Sequence, residues 1–109
     1  MALRLDETIL RSLPEELPQL TEYTISTRTQ LLERLDEVRA AGYALDMEEA
    51  YLGVRCVGVA VATPNWPVVH LSFSVPLQRA PVERLHELAK PLLTAAAEIE
   101  RILTVTPRR

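Results

Sequence analysis

The chain has 109 residues, 48% of them hydrophobic, and a formal net charge of −3. That is enough for one small domain with a single core and too little for two. The acidic balance excludes a surface that grips phosphate backbone by charge, since no basic cluster exceeds the terminal pair Arg108–Arg109. No apolar run approaches the ~20 residues a membrane span needs. The N-terminal string MALRLDETILRSLP lacks the basic start, apolar middle and cleavage site of a signal peptide. A single cysteine, Cys56, rules out an internal disulfide framework and fits a reducing cytoplasm.

In chain order, residues 6–13 (DETILRSL) predict a short amphipathic helix with Ile9, Leu10 and Leu13 inward, stopped by Pro14. Residues 14–26 hold two prolines and no sustained period, which predicts a packed loop. Thr27, three residues before Gln30, has the spacing of a capping box and opens a helix. Leu31, Leu35 and Val38 form its apolar stripe, and Gly42 is its natural stop, because glycine enters the left-handed conformation at little cost.

After Gly42 the period changes. YALD (43–46) predicts a short strand, followed by an acidic patch of Asp46, Glu48 and Glu49, where Asp46 either accepts a hydrogen bond from a ligand or belongs to a solvated strand end. VRCVGVAVA (54–62) and VVHLSFSV (68–75), separated by TPNWP, predict a hairpin. From Pro81 to about residue 103 a helical period returns through Leu85, Leu88, Leu92, Ala96, Ile99 and Leu103, with Pro91 inside it.

A turn centred on Asn65, with Ala62 facing Val68, sets the hairpin register. Ala60 then faces His70, Gly58 faces Ser72 and Cys56 faces Ser74. The other face carries Val57, Val59 and Val61 against Val69, Leu71 and Phe73. Strand side chains alternate with period 2, so a one-residue slip would mix the two sets. The aliphatic face must be the core, covered by the two long helices. The opposite face is made of Cys, Gly, Ala, His and two Ser, and such small side chains leave room above them. Water, a partner backbone or a small ligand would each fit there.

The strings "LLERLDEVRAAGYALDMEEAYLGVRCVGVAVA", "VVHLSFSVP" and "ELAKPLLTAAAEIERIL" resemble the C-terminal effector-binding domain of IclR-type bacterial transcription regulators. The resemblance runs from about Leu5 to Leu103, and "RAAGYALDMEE" and "GVRC" are its most specific parts. It implies an α+β fold, an antiparallel sheet with helices on one face, of GAF- or profilin-like type. The whole of residues 1–109 would be the C-terminal part of that domain. It further implies a sensor for small organic acids whose ligand-binding residues map by position onto Asp46, Cys56, Ser72 and Ser74, with Gly58 and His70 at a possible rim. A homodimer or higher oligomer is implied too, with DNA contacted only through an N-terminal winged helix-turn-helix domain that these residues do not include. Family sensors carry further strands and a helix before the segment that starts here. The TPNWP connection departs from the pattern, being one residue shorter and lacking an Asp-Gly turn.

No catalytic residue is expected. Cys56 has no Lys or Arg on its strand face to activate it, and the serines lack a nucleophile elbow. Asp46, Cys56 and His70 have no recognisable metal-ligand spacing, so neither a metal nor a cofactor is assigned. Arg55 is expected to pair with the acidic patch, Trp66 to be an exposed aromatic, and His86 to be plain surface.

Overall fold

A computed structural model describes residues 10–61, 63, 66, 67 and 69–106. Residues 6–9 of the helix expected over 6–13, and Ala62, Asn65 and Val68 of the expected turn, lie outside them. The elements in order are α1 (Arg28–Ala41), β1 (Ala44–Met47), β2 (Val54–Val61), β3 (Val69–Pro76), a single 3-10 turn (Leu77–Arg79) and α2 (Val82–Val105).

Helix α1 begins where the sequence places it. The Thr27 side chain accepts from the Gln30 N–H at 3.2 Å, satisfying one of the first-turn donors. The reciprocal bond is shifted by one residue, since Gln30 Oε1 accepts from the Ser26 N–H at 3.3 Å rather than from Thr27. At the other end Gly42 adopts φ 86°, and its N–H donates to the Val38 carbonyl at 2.8 Å.

The three strands form an antiparallel sheet in the order β1-β2-β3. The β2–β3 register is the one the alternation predicts: Cys56 faces Ser74, Gly58 faces Ser72, Ala60 faces His70 and Val57 faces Phe73. β1 adds Asp46 opposite Cys56 and Leu45 opposite Val57. The core lies on the Val57 face, where Val57, Val59 and Val61 pack against Ala89, Leu92 and Ala96 of α2.

The expectation that both helices cover this face needs correction. Among the described residues α1 contributes nothing to the core cluster. It runs beside β1 instead, tied by Arg34 Nη1 to the Leu45 carbonyl at 3.5 Å. α2 lies mainly over β2, so Val69 and Phe73 on the same face of β3 stay 39% and 40% exposed. Among the described residues β3 is an unpaired sheet edge without Lys or Glu, which leaves its backbone groups open to pairing.

Candidate functional site

The sheet brings the predicted residues together on the face away from α2. Asp46, Cys56 and Ser74 form one cross-strand row. Ala44, Gly58 and Ser72 form the next, and Ala60 and His70 extend the face beyond it. Directly opposed residues have Cβ atoms about 5 Å apart, so each row is narrow enough for one small molecule to bridge. Cys56 Sγ and Ser74 Oγ already stand 3.4 Å apart. Ser72, Ser74 and His70 are exposed, while Asp46, Cys56 and Gly58 are half-buried.

Gly58 keeps the centre of the face low. A Cβ there would lie 3.5 Å from the Leu71 carbonyl oxygen and 3.7 Å from Ser72 Cβ, ordinary contact distances. The absence of a side chain therefore serves the space above the sheet rather than the sheet's own packing. His70 makes no hydrogen bond to either serine in the described set, and lies two strand residues from Ser72. At about 3.4 Å per residue, direct proton transfer between them is out of reach. The arrangement offers two hydroxyl donors and a thiol beside a carboxylate, which suits recognition of a small polar molecule rather than bond cleavage.

Asp46 is held from the loop side. Its Oδ1 accepts from the Glu49 N–H at 2.8 Å, while its other oxygen has no partner among the described residues. The acidic patch is not a solvated strand end. Glu48 is buried at 9% exposure, and its Oε1 accepts from the Gly53 N–H at 2.9 Å. Glu49 Oε2 accepts from the Met47 N–H at 3.1 Å and pairs with Arg34 at 3.3 Å.

Glu48 sits at φ 64°, a left-handed conformation costly for a side-chain-bearing residue, at about 1–3 kcal/mol. Long-range bonds hold it there: Thr21 Oγ1 donates to the Glu48 carbonyl at 2.6 Å, and Thr24 Oγ1 donates to the Glu49 carbonyl. The loop of residues 21–24 thus braces the strand end that presents Asp46. Nearby, Tyr23 has its phenol pKa raised above the ordinary value by the negative charges of Glu22 and Glu48, partly offset by Arg55.

Three expectations outside the site also change. Arg55 makes no ion pair among the described residues; its Nη1 donates to the Ala80 carbonyl at 2.7 Å, anchoring the chain where it turns into α2. Trp66 is half-buried, with Nε1 donating to the Leu103 carbonyl at 3.0 Å. His86 is exposed yet engaged, its Nδ1 lying 2.5 Å from the Tyr43 hydroxyl. Sequence reasoning missed the bracing by Thr21 and Thr24, because nothing local marks a contact across more than twenty residues.

A three-stranded antiparallel sheet with α2 packed on its aliphatic face and small, polar residues on the other makes this an α+β domain. The comparisons narrow this to a family. Residues 1–101 match the family model described as "Bacterial transcriptional regulator IclR C-terminal", and the chain belongs to that family. The transcriptional regulator KdgR of Escherichia coli is 42% identical over 85 residues, 77% of this chain and 32% of that protein. The crystal structure of the C-terminal domain of E. coli KdgR superposes with TM-score 0.75 at 38% identity, covering 90% of this chain and 59% of that one. The inducer-binding domain of the transcription factor PobR from Acinetobacter, solved as a double mutant in complex with 3-hydroxybenzoic acid, superposes with TM-score 0.76 at 28% identity, covering 91% and 58%. These relatives carry the names of transcription regulators, not of enzymes, and the chain spans about a third of the length of KdgR. No helix among the described residues is long and apolar enough to cross a membrane.

Proposed function

We propose that this chain is the effector-binding module of a cytoplasmic IclR-type regulator, and that its ligand is a small organic acid. The acid sits on the outer face of the sheet, with Ser72 and Ser74 donating to its carboxylate and Cys56 flanking it. Asp46 accepts from a hydroxyl or acid proton, and Gly58 and His70 form the rim. The observation that carries this reading is the register, which aligns Asp46, Cys56 and Ser74 in one row with Gly58 and Ser72 beside it. PobR's complex with an aromatic hydroxy acid supports the ligand class.

The solved relatives extend beyond the region matched here, which covers 59% of the KdgR domain and 58% of the PobR domain. Residues 1–109 form a single unit, the C-terminal part of the sensor domain, acting in a homodimer or higher assembly. DNA is reached only through a winged helix-turn-helix domain elsewhere in the regulator. The acid then acts by binding one arrangement of subunits better than another, since a ligand shifts an equilibrium only by its differential affinity.

A second reading is that the chain serves association alone. The unpaired β3 edge and the half-exposed Val69 and Phe73 favour it. A thermal-shift screen of small carboxylates beside light scattering separates the two. A melting temperature that rises with one acid, and loses that rise in Ser72→Ala or Ser74→Ala, supports sensing. A stable dimer that no acid shifts supports association alone.

A further inference from the structure

Behind the proposed acid site, on the aliphatic side of β1, lies a cleft of about 270 Å³. Strand parity separates the two: Asp46 faces Cys56 on the outer face, whereas Leu45 faces the core residue Val57. Because α2 lies over β2 and α1 stands beside β1, the aliphatic side of β1 is only partly covered. Leu45 and Met47 floor the gap, and Val38 and Ala41 of α1 form one wall. Tyr43 and His86 close one end, their rings edge to face with centroids 5.7 Å apart. At the other end Arg34 is already countered by Glu49 at 3.3 Å and by Glu37 at 3.7 Å.

From these features we infer that the cleft is a binding site for an uncharged one-ring aromatic molecule carrying a hydroxyl, the phenol class. Size sets the ring count: a cavity of about 150 Å³ holds benzene, so this one holds a substituted ring. Charge excludes an acid. Among the described residues Arg34 in the cleft lining is matched by two carboxylates, and Glu37 itself lines the site, so a carboxylate would meet repulsion there. Chemistry selects the ring, because the Met47 thioether and the Tyr43 and His86 rings are favourable neighbours for an aromatic edge or face. The Tyr43 hydroxyl, bonded to His86 Nδ1 at 2.5 Å, keeps an acceptor lone pair to which a phenol hydroxyl can donate. The site needs nothing from the outer face, and stands whether or not an acid binds there.

The test is a titration of the 109-residue chain with phenol, followed by amide-resolved NMR, beside the same titration with benzoate. A ligand this small binds in the millimolar range. The expected result is saturable shifts at the amides of residues 38–47 and at His86 with phenol, and none there with benzoate. Ala41→Leu, which adds bulk from an exposed helix position, should weaken binding at least tenfold while the spectrum keeps its dispersion. Tyr43→Phe keeps the ring and should weaken phenol several-fold. The inference is overturned by shifts confined to the outer face, by no shift at any phenol concentration, by equal response to benzoate, or by unchanged binding in a folded Ala41→Leu variant.

Discussion

Replacing Gly58 by valine separates the outer face's role in binding from its role in folding. The backbone at Gly58 does not need glycine, since among the described glycines only Gly42 and Gly53 have positive φ. A Cβ there meets the Leu71 carbonyl oxygen at 3.5 Å and Ser72 Cβ at 3.7 Å, so nothing must move. Glycine inside a strand costs about 0.5–1 kcal/mol relative to alanine, and a β-branched side chain suits a strand. For a domain of this size about 1 kcal/mol corresponds to a melting-temperature change of about 4–8 °C. The folded state should therefore hold or gain within that range. The valine methyls stand over the middle of the face between Ser72 and Ala44, where the acid would lie. Loss of at least tenfold in affinity, about 1.4 kcal/mol, is expected. The assay is calorimetric titration with whichever acid stabilises the unmodified chain, paired with a thermal melt. A Gly58→Val chain that melts normally and binds the acid as tightly as before refutes placement of the ligand on this face.

Leu85 is wholly buried, so Leu85→Ala should cost about 2–5 kcal/mol in urea unfolding, whereas Ile102→Ala at a 46% exposed position should change stability by no more than about 0.5 kcal/mol. Thr24→Val removes the hydroxyl that donates to the Glu49 carbonyl and accepts from the Leu20 and Thr21 N–H groups, and should cost about 1–3 kcal/mol. Hydrogen exchange should show faster exchange at Leu20 and Thr21, and unchanged rates there would refute the bracing. Tyr23 should ionise at higher pH than an ordinary tyrosine, and Glu22→Gln should lower its pKa toward the ordinary value, read by NMR-monitored titration. The sign follows from linkage: a raised folded-state pKa means the associated stability is present below the unfolded pKa and fades as pH rises through the folded one.

What could be read in advance depended on period. Val57, Val59 and Val61 against Cys56, Gly58 and Ala60 fix two faces by alternation alone, and the turn spacing fixes the partner strand, so the site row across the hairpin was legible. Thr27 and Gly42 bounded α1 because capping is a local chemistry. The lie of α1 was not legible, because a stripe such as Leu31, Leu35 and Val38 shows that a helix has an apolar side, not which surface it meets. Glu48 and Glu49 looked solvated because consecutive acids usually are. Their burial is imposed by Thr21, Thr24 and Arg34, residues whose contacts arise only after folding. The pairing of Tyr43 with His86 spans 43 residues and left no trace in either local pattern.

The central claim is that a small carboxylic acid binds the row of Asp46, Cys56 and Ser74 with Ser72 beside it. It is tested most directly by titrating the isotope-labelled chain with a panel of such acids, 3-hydroxybenzoate among them, and following the amides of those four residues. The account predicts that one acid gives saturable shifts centred on these positions, and that the shifts vanish in a folded Ser72→Ala, Ser74→Ala double variant. Saturable shifts centred elsewhere on the fold, or shifts at this face that persist undiminished without both hydroxyls, would contradict it.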